Sequence, residues 1–227
     1  MSMPPKLCVS IMSETAQRME EKARLALALG ADLVEFRLDS LPSLDIRLVK
    51  ELISKFSRRC ILTLRPRWEG GLYDGDEEER LSMILEISEA KPAYVDLELK
   101  SREVERNAEK LRRSSRLILS LHDRDGCLSE DDLREAALKA MKLGDYAKIV
   151  TTAKSVLDNV KVLSLYNQLP RERLIAFAMG ELGMISRILS PMAGAPIVYT
   201  CLPREQVAPG QLSVAEMKRI LRLMGKC

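Results

Sequence analysis

The chain has 227 residues, 46% of them apolar and only 4% aromatic, enough apolar side chain for one large α/β core. Its 36 basic and 33 acidic residues leave a net charge of +3 and are interleaved, which argues against a nucleic-acid-binding surface or a membrane-binding face. One histidine and five scattered cysteines (Cys8, Cys60, Cys127, Cys201, Cys227) argue against a metal site or a disulfide framework and favour reduced thiols in a cytoplasm.

Short β-branched or apolar runs alternate with amphipathic stretches from end to end. Strands are predicted near residues 6–11, 33–38, 60–65, 93–98, 116–121, 146–151, 173–178 and 196–200. Helices are predicted over 14–29, 44–57, 77–90, 102–113, 129–143, 155–168, 183–190 and 213–224. Gly30 marks a helix stop, and Asp39, Ser129 and Ser213 have capping character. Glu77-Glu-Glu-Arg80 reads as the charged first turn of a helix, and Lys110-Leu-Arg-Arg113 as the solvated end of another. No stretch is long and apolar enough to span a bilayer, and Met1-Ser-Met-Pro-Pro-Lys6 is too polar and short for a signal peptide. Eight βα units of roughly 25–30 residues, uninterrupted by a linker, predict a single-domain (β/α)8 barrel over residues 1–227. An open doubly wound sheet is the rival, but no Gly-x-Gly-x-x-Gly opens the first helix.

Barrel enzymes gather their chemistry at the carboxyl ends of the strands, and here polar residues recur at those positions. Ser10 ends the first strand, Glu35 and Arg37 close the second on one face, and Arg65 ends the third. Asp96 and Glu98 end the fourth, His122 the fifth, and Lys148 stands within the sixth. Parallel barrel strands are otherwise nearly pure hydrocarbon, so this convergence points to a site. A strand lysine is commonly an edge residue, yet a buried one beside other cations loses its proton readily and becomes a Schiff-base nucleophile. Lys154, in the turn after that strand, is the rival amine; Arg37 has Glu35 and Asp39 as ready ion partners, and Arg187 on its own reads as a surface helix residue.

The ordered motifs Glu35-Phe-Arg37-Leu-Asp39, Thr63-Leu-Arg65, Glu69-Gly-Gly71, Asp96-Leu-Glu98, Ser120-Leu-His122-Asp123, Lys148-Ile, Met179-Gly180, Ile185-Ser-Arg187 and Ala208-Pro-Gly-Gln211 span nearly the whole chain. Together they resemble the type I 3-dehydroquinate dehydratases, the Schiff-base enzymes of the shikimate pathway. The resemblance implies conversion of 3-dehydroquinate to 3-dehydroshikimate and water, with no cofactor and no metal. Lys148 would form the imine, His122 would act as general base and then general acid, and Glu69 would orient His122, with Asp96 a helper behind them. Arg187 and Gln211 would hold the substrate carboxylate, Glu35, Arg37 and Arg65 would meet ring hydroxyls, Ser10 would sit in the pocket, and Met179 would form an apolar wall. The Ala-Pro-Gly-Gln loop would close over the substrate. The partner is thus a small molecule, and the resemblance is compatible with a homodimer.

Two positions depart from the family pattern. Arg124 stands where an aromatic residue commonly follows His-Asp, and Val207 stands where serine often precedes Ala-Pro-Gly-Gln. Altered affinity with an unaltered reaction is expected. The competing readings are a class I aldolase or transaldolase acting on a sugar phosphate, for which no late glycine-rich anion nest is evident, and a catalytically inert ligand-binding barrel.

Overall fold

The computed structural model describes residues 4–225; Cys227 and the first three residues of the N-terminal segment lie outside them. Eight parallel strands alternate with eight helices in a (β/α)8 barrel. The strands are β1 (Lys6–Ile11), β2 (Leu33–Arg37), β3 (Cys60–Thr63), β4 (Tyr94–Glu98), β5 (Arg116–Asp123), β6 (Tyr146–Thr152), β7 (Leu174–Met179) and β8 (Ile197–Thr200). The helices are α1 (Ala16–Ala28), α2 (Ile46–Lys55), α3 (Glu77–Ser88), α4 (Val104–Leu111), α5 (Glu130–Leu143), α6 (Asp158–Gln168), α7 (Met184–Ala193) and α8 (Val214–Leu223). Among the described residues no helix is long and apolar enough to cross a membrane.

Local chemistry explains the boundaries. Ser129 and Ser213 each form a full capping box, with Asp132 and Glu216 reaching back to the cap. Asp39 departs from its expected capping role. It lies in a 3-10 turn (Leu38–Ser40), where its carboxylate takes the Arg37 guanidinium and the Leu72 N–H instead. Gly30 has φ +95°, the left-handed conformation expected of a helix stop.

Closure is incomplete at one seam. The ladder runs β7-β6-β5-β4-β3-β2-β1-β8, so β7 and β8 are its two ends and share no ladder among the described residues. Side chains close the gap there: the rings of Phe177 and Tyr199 stand 6.3 Å apart between centroids.

Alternation along each strand grades the barrel interior. Cys8, Leu33, Ile61, Tyr94, Ile118, Ile175 and Ile197 form an apolar plug near the amino ends of the strands. Two residues further along lie Ser10, Glu35, Thr63, Asp96, Ser120, Phe177 and Tyr199, and Lys148 pairs in register with Ser120 and Ile175. The carboxyl end of the barrel is therefore lined with charge and aromatic faces above an apolar floor.

Candidate active site

Lys148 is only 4% exposed. Its Nζ donates to Asp96 Oδ2 at 2.8 Å, lies 3.7 Å from Glu35 Oε1, and rests 4.1 Å from the centre of the Tyr199 ring. Asp96 Oδ1 in turn accepts from Ser120 Oγ at 2.6 Å and from Arg65 Nη2 at 2.8 Å. Burial alone would raise the Asp96 pKa. Arg65 and Lys148 outweigh it and hold the carboxyl far below the usual carboxylate range, so Asp96 is an anion. Asp96, expected as a helper behind the site residues, thus touches the Lys148 amine directly. Glu35 accepts from Ser10 Oγ and Thr63 Oγ1, at 2.6 and 3.0 Å.

The Arg65 guanidinium is committed to protein partners rather than offered freely to a ligand. It donates to Glu98 Oε1 and Ser120 Oγ at 2.7 Å each, besides Asp96. Glu98 Oε2 takes Arg80 Nη1 at 2.7 Å, and Arg80 is fully buried. An alternating chain therefore runs Arg80–Glu98–Arg65–Asp96–Lys148. Arg80 escapes sequence reasoning because it stands in an acidic first helical turn that reads as solvated. Its bonds to the Leu64 carbonyl, Ser101 Oγ and Glu98 draw it inward.

Glu69 Oε1 accepts the His122 backbone N–H at 2.6 Å and lies 3.0 Å from its Nδ1. An oxygen already accepting the amide is best matched by a protonated Nδ1, which leaves Nε2 as the bare acceptor. Burial, reinforced by the Arg65 and Lys148 cations, holds His122 well below the usual imidazole pKa, so the ring is neutral. Burial also pushes Glu69 up to about 8, against the opposing pull of Arg65.

Arg187, far from being a surface residue, is 4% exposed. Its guanidinium lies 4.4 Å over the Phe177 ring, its Nε has no hydrogen-bond partner, and among the described residues no carboxylate pairs with it. Burial lowers its pKa to about 10, which still leaves it charged at neutral pH. A buried guanidinium without an anion is costly, and such a cation is suited to receive an anionic ligand.

These groups converge on a cavity of about 260 Å³ at the carboxyl end of the barrel. The residues that the sequence places in the site line it, except Asp96 and Glu98, which are fully buried against Lys148 and Arg65 respectively. Lys154 is outside the cavity and exposed, its Nζ 3.7 Å from Cys127 Sγ. The residues 7–227 match the family model described as type I 3-dehydroquinase. The chain belongs to the type I 3-dehydroquinase family.

The 3-dehydroquinate dehydratase of Methanocaldococcus jannaschii is 33% identical over 222 residues, which cover 96% of this chain and 98% of that protein. The one from Thermococcus gammatolerans is 42% identical over 199 residues, covering 86% of this chain and 89% of its own length. Among solved structures, the 3-dehydroquinate dehydratase of Aquifex aeolicus VF5 superposes with a TM-score of 0.84 at 28% identity, covering 96% of this chain and 98% of that one.

Arg37 has the ion partner that the sequence offered it, Asp39, and also faces the cavity. It pairs bidentately with Asp39, Nε–Oδ1 at 2.9 Å and Nη2–Oδ2 at 2.7 Å, while lining the cavity. Gln211 lines it too, but its amide is spent on the loop. Nε2 donates to the Thr200 carbonyl and Oε1 accepts the Val207 N–H. Arg124 and Val207 both reach the cavity wall, Arg124 lying along Gly70 beside Glu69. Phe177 and Tyr199 were not singled out by sequence; their places two residues along from inward-facing Ile175 and Ile197 would have revealed them.

Proposed function

We propose that this protein dehydrates 3-dehydroquinate to 3-dehydroshikimate, a step of aromatic biosynthesis, through a Schiff base on Lys148. The observation that carries the reading is the meeting, in one cavity, of a buried amine, a neutral histidine whose Nε2 faces no protein partner, and a buried guanidinium with no carboxylate partner among the described residues. A carboxylate-bearing cyclic ketone supplies what each group lacks: an anion for Arg187, a carbonyl for Lys148 and a removable proton for His122. The family membership and the names of its relatives point the same way.

In this mechanism the Lys148 ammonium gives a proton to His122 Nε2, and the freed amine adds to the ring ketone. His122 returns the proton to the carbinolamine hydroxyl, which departs as water and leaves the iminium. The iminium keeps the single positive charge of the ammonium beside Asp96, so the same anion stabilises both states. His122 Nε2 removes the proton on the neighbouring carbon, and the electron pair is held as an enamine. The enamine expels the hydroxyl one carbon further on, with the proton on His122 going to the leaving oxygen as water. Hydrolysis of the imine returns the ketone product and the Lys148 amine. Arg187 anchors the carboxylate, and Glu35 and Arg37 meet ring hydroxyls.

Borohydride reduction in the presence of 3-dehydroquinate, followed by intact mass and peptide mapping, tests the reading. One substrate-sized adduct on Lys148 is expected. An adduct on Lys154 would overturn the site, and no adduct on folded protein would overturn the mechanism.

A further inference from the structure

Phe177 and Tyr199 take no part in the bond-making above, yet each carries one of its two cations. Their rings meet across the β7–β8 seam, the place where the ladder is open, with centroids 6.3 Å apart and planes tilted by 41°. Lys148 Nζ sits 4.1 Å from the Tyr199 centroid, and the Arg187 guanidinium carbon 4.4 Å from that of Phe177. Both rings are buried, at 5% and 6% exposure. The Tyr199 hydroxyl has no hydrogen-bond partner among the described residues, so its contribution comes from the ring face.

We infer that the Phe177–Tyr199 pair is a positioning device that fixes the imine nitrogen of Lys148 and the guanidinium of Arg187 at a set separation. The inference rests on the roles proposed above for Lys148 and Arg187. The negative face of an aromatic ring attracts a cation within about 6 Å, and the attraction strengthens in a desolvated site. Lys148 has a long, freely rotating stem, held on one side by Asp96 and on the other by the Tyr199 ring. Imine formation leaves the nitrogen cationic, so the ring holds it before and after the bond forms. Arg187 has no carboxylate partner among the described residues, which leaves the Phe177 face as its electrostatic support. One rigid pair across the seam therefore sets how far the reacting carbon sits from the substrate carboxylate.

A ring serving only to fill the interior would be replaceable by leucine with a loss of stability and unchanged kinetics. Steady-state turnover of 3-dehydroquinate separates the two roles in Tyr199→Leu, Tyr199→Phe and Phe177→Leu. Tyr199→Leu is expected to lower kcat on the order of ten-fold with little change in KM, and Tyr199→Phe to recover most of the loss. Phe177→Leu is expected to raise KM on the order of ten-fold, with a smaller effect on kcat. Circular dichroism confirms folding, and Tyr199→Met, similar in bulk but without a ring face, replaces the leucine variant where that one does not fold. Wild-type kinetics in a folded Tyr199→Leu or Tyr199→Met, or failure of Tyr199→Phe to recover kcat, would overturn the inference. Borohydride trapping on the wild type reads the underlying assignment separately. No adduct on Lys148 there would remove the basis of the inference, whereas an adduct with unaltered ring variants would defeat the inference alone.

Discussion

Glu69 Oε1 holds His122 twice, by its backbone N–H at 2.6 Å and by Nδ1 at 3.0 Å. Ring orientation and strand end are thus fixed by one oxygen, and the charge on that carboxyl tunes the ring. Burial pushes Glu69 up to about 8. As pH rises through that value the carboxyl becomes an anion, strengthens the Nδ1–H bond and makes Nε2 a better base. The kcat of the wild type is therefore expected to climb between about pH 7 and 9, and Glu69→Gln to lose that limb. Folding responds with the opposite sign. A carboxyl with a raised folded pKa contributes stability that is fully present below its ordinary value of 4.5 and is lost as pH rises through about 8. Denaturant midpoints across that window should flatten in Glu69→Gln, and an unaltered profile would refute the assignment.

Lys148 and Lys154 separate cleanly by environment. Lys148→Ala is expected to lower turnover by at least on the order of 10³-fold, since no other amine among the described residues lines the cavity. Lys154→Ala, outside the cavity and exposed, should stay within about 2-fold, the ordinary effect of a surface change remote from the site. Initial rates at saturating 3-dehydroquinate distinguish them, and the reverse pattern would move the nucleophile to Lys154.

The alternation of apolar runs and helical stretches made the barrel legible, because each strand is buried on both faces and so reads as a short hydrophobic run. The charged strand ends were legible for the same reason: Glu35, Arg65 and Asp96 interrupt hydrocarbon. Partner choice was not. Nothing in the spacing of Arg65 says that it spends its guanidinium on Asp96 and Glu98, or that Gln211 spends its amide on Thr200 and Val207. Those are contacts between residues far apart in the chain or folded into a loop, fixed by closure of the barrel. The open β7–β8 seam was hidden as well, since the eight-unit count gives no account of strand pairing.

Arg80 links the outer helix layer to the site through Glu98. Arg80→Met leaves Glu98 buried with Arg65 as its remaining ionic partner and is expected to cost about 3 kcal/mol of stability, typical for breaking a buried pair. Arg65 is then drawn towards Glu98 and away from Asp96, so kcat should also fall several-fold. Urea unfolding with parallel kinetics checks both effects, and a stable, fully active variant would show that the chain of charges ends at Arg65.

Gly210 has φ +73°, and a Cβ there would stand 2.2 Å from the Gly180 carbonyl oxygen. Backbone cannot yield as a side-chain tip does. Gly210→Ala should displace the loop that carries Val207 and Gln211, raising KM for 3-dehydroquinate by about ten-fold while the imine still forms on Lys148. Unchanged KM would show that the loop does not shape the substrate site.

If Arg187 holds the substrate carboxylate as proposed, it sets affinity against stability. Its buried charge lacks a carboxylate partner among the described residues, so the folded protein bears the desolvation cost until an anion binds. Arg187→Gln removes that cost and is expected to raise stability by on the order of 1 kcal/mol, an upward Tm shift of about 2–4 °C. The same change should raise KM on the order of 10²-fold through loss of the bidentate charge-assisted contact. Arg187→Lys keeps the charge but loses the planar fork, so it should recover only part of the affinity. Thermal melts with and without 3-dehydroquinate, read beside KM, decide the matter. A variant that is both less stable and unaltered in KM would place Arg187 in the framework rather than at the substrate.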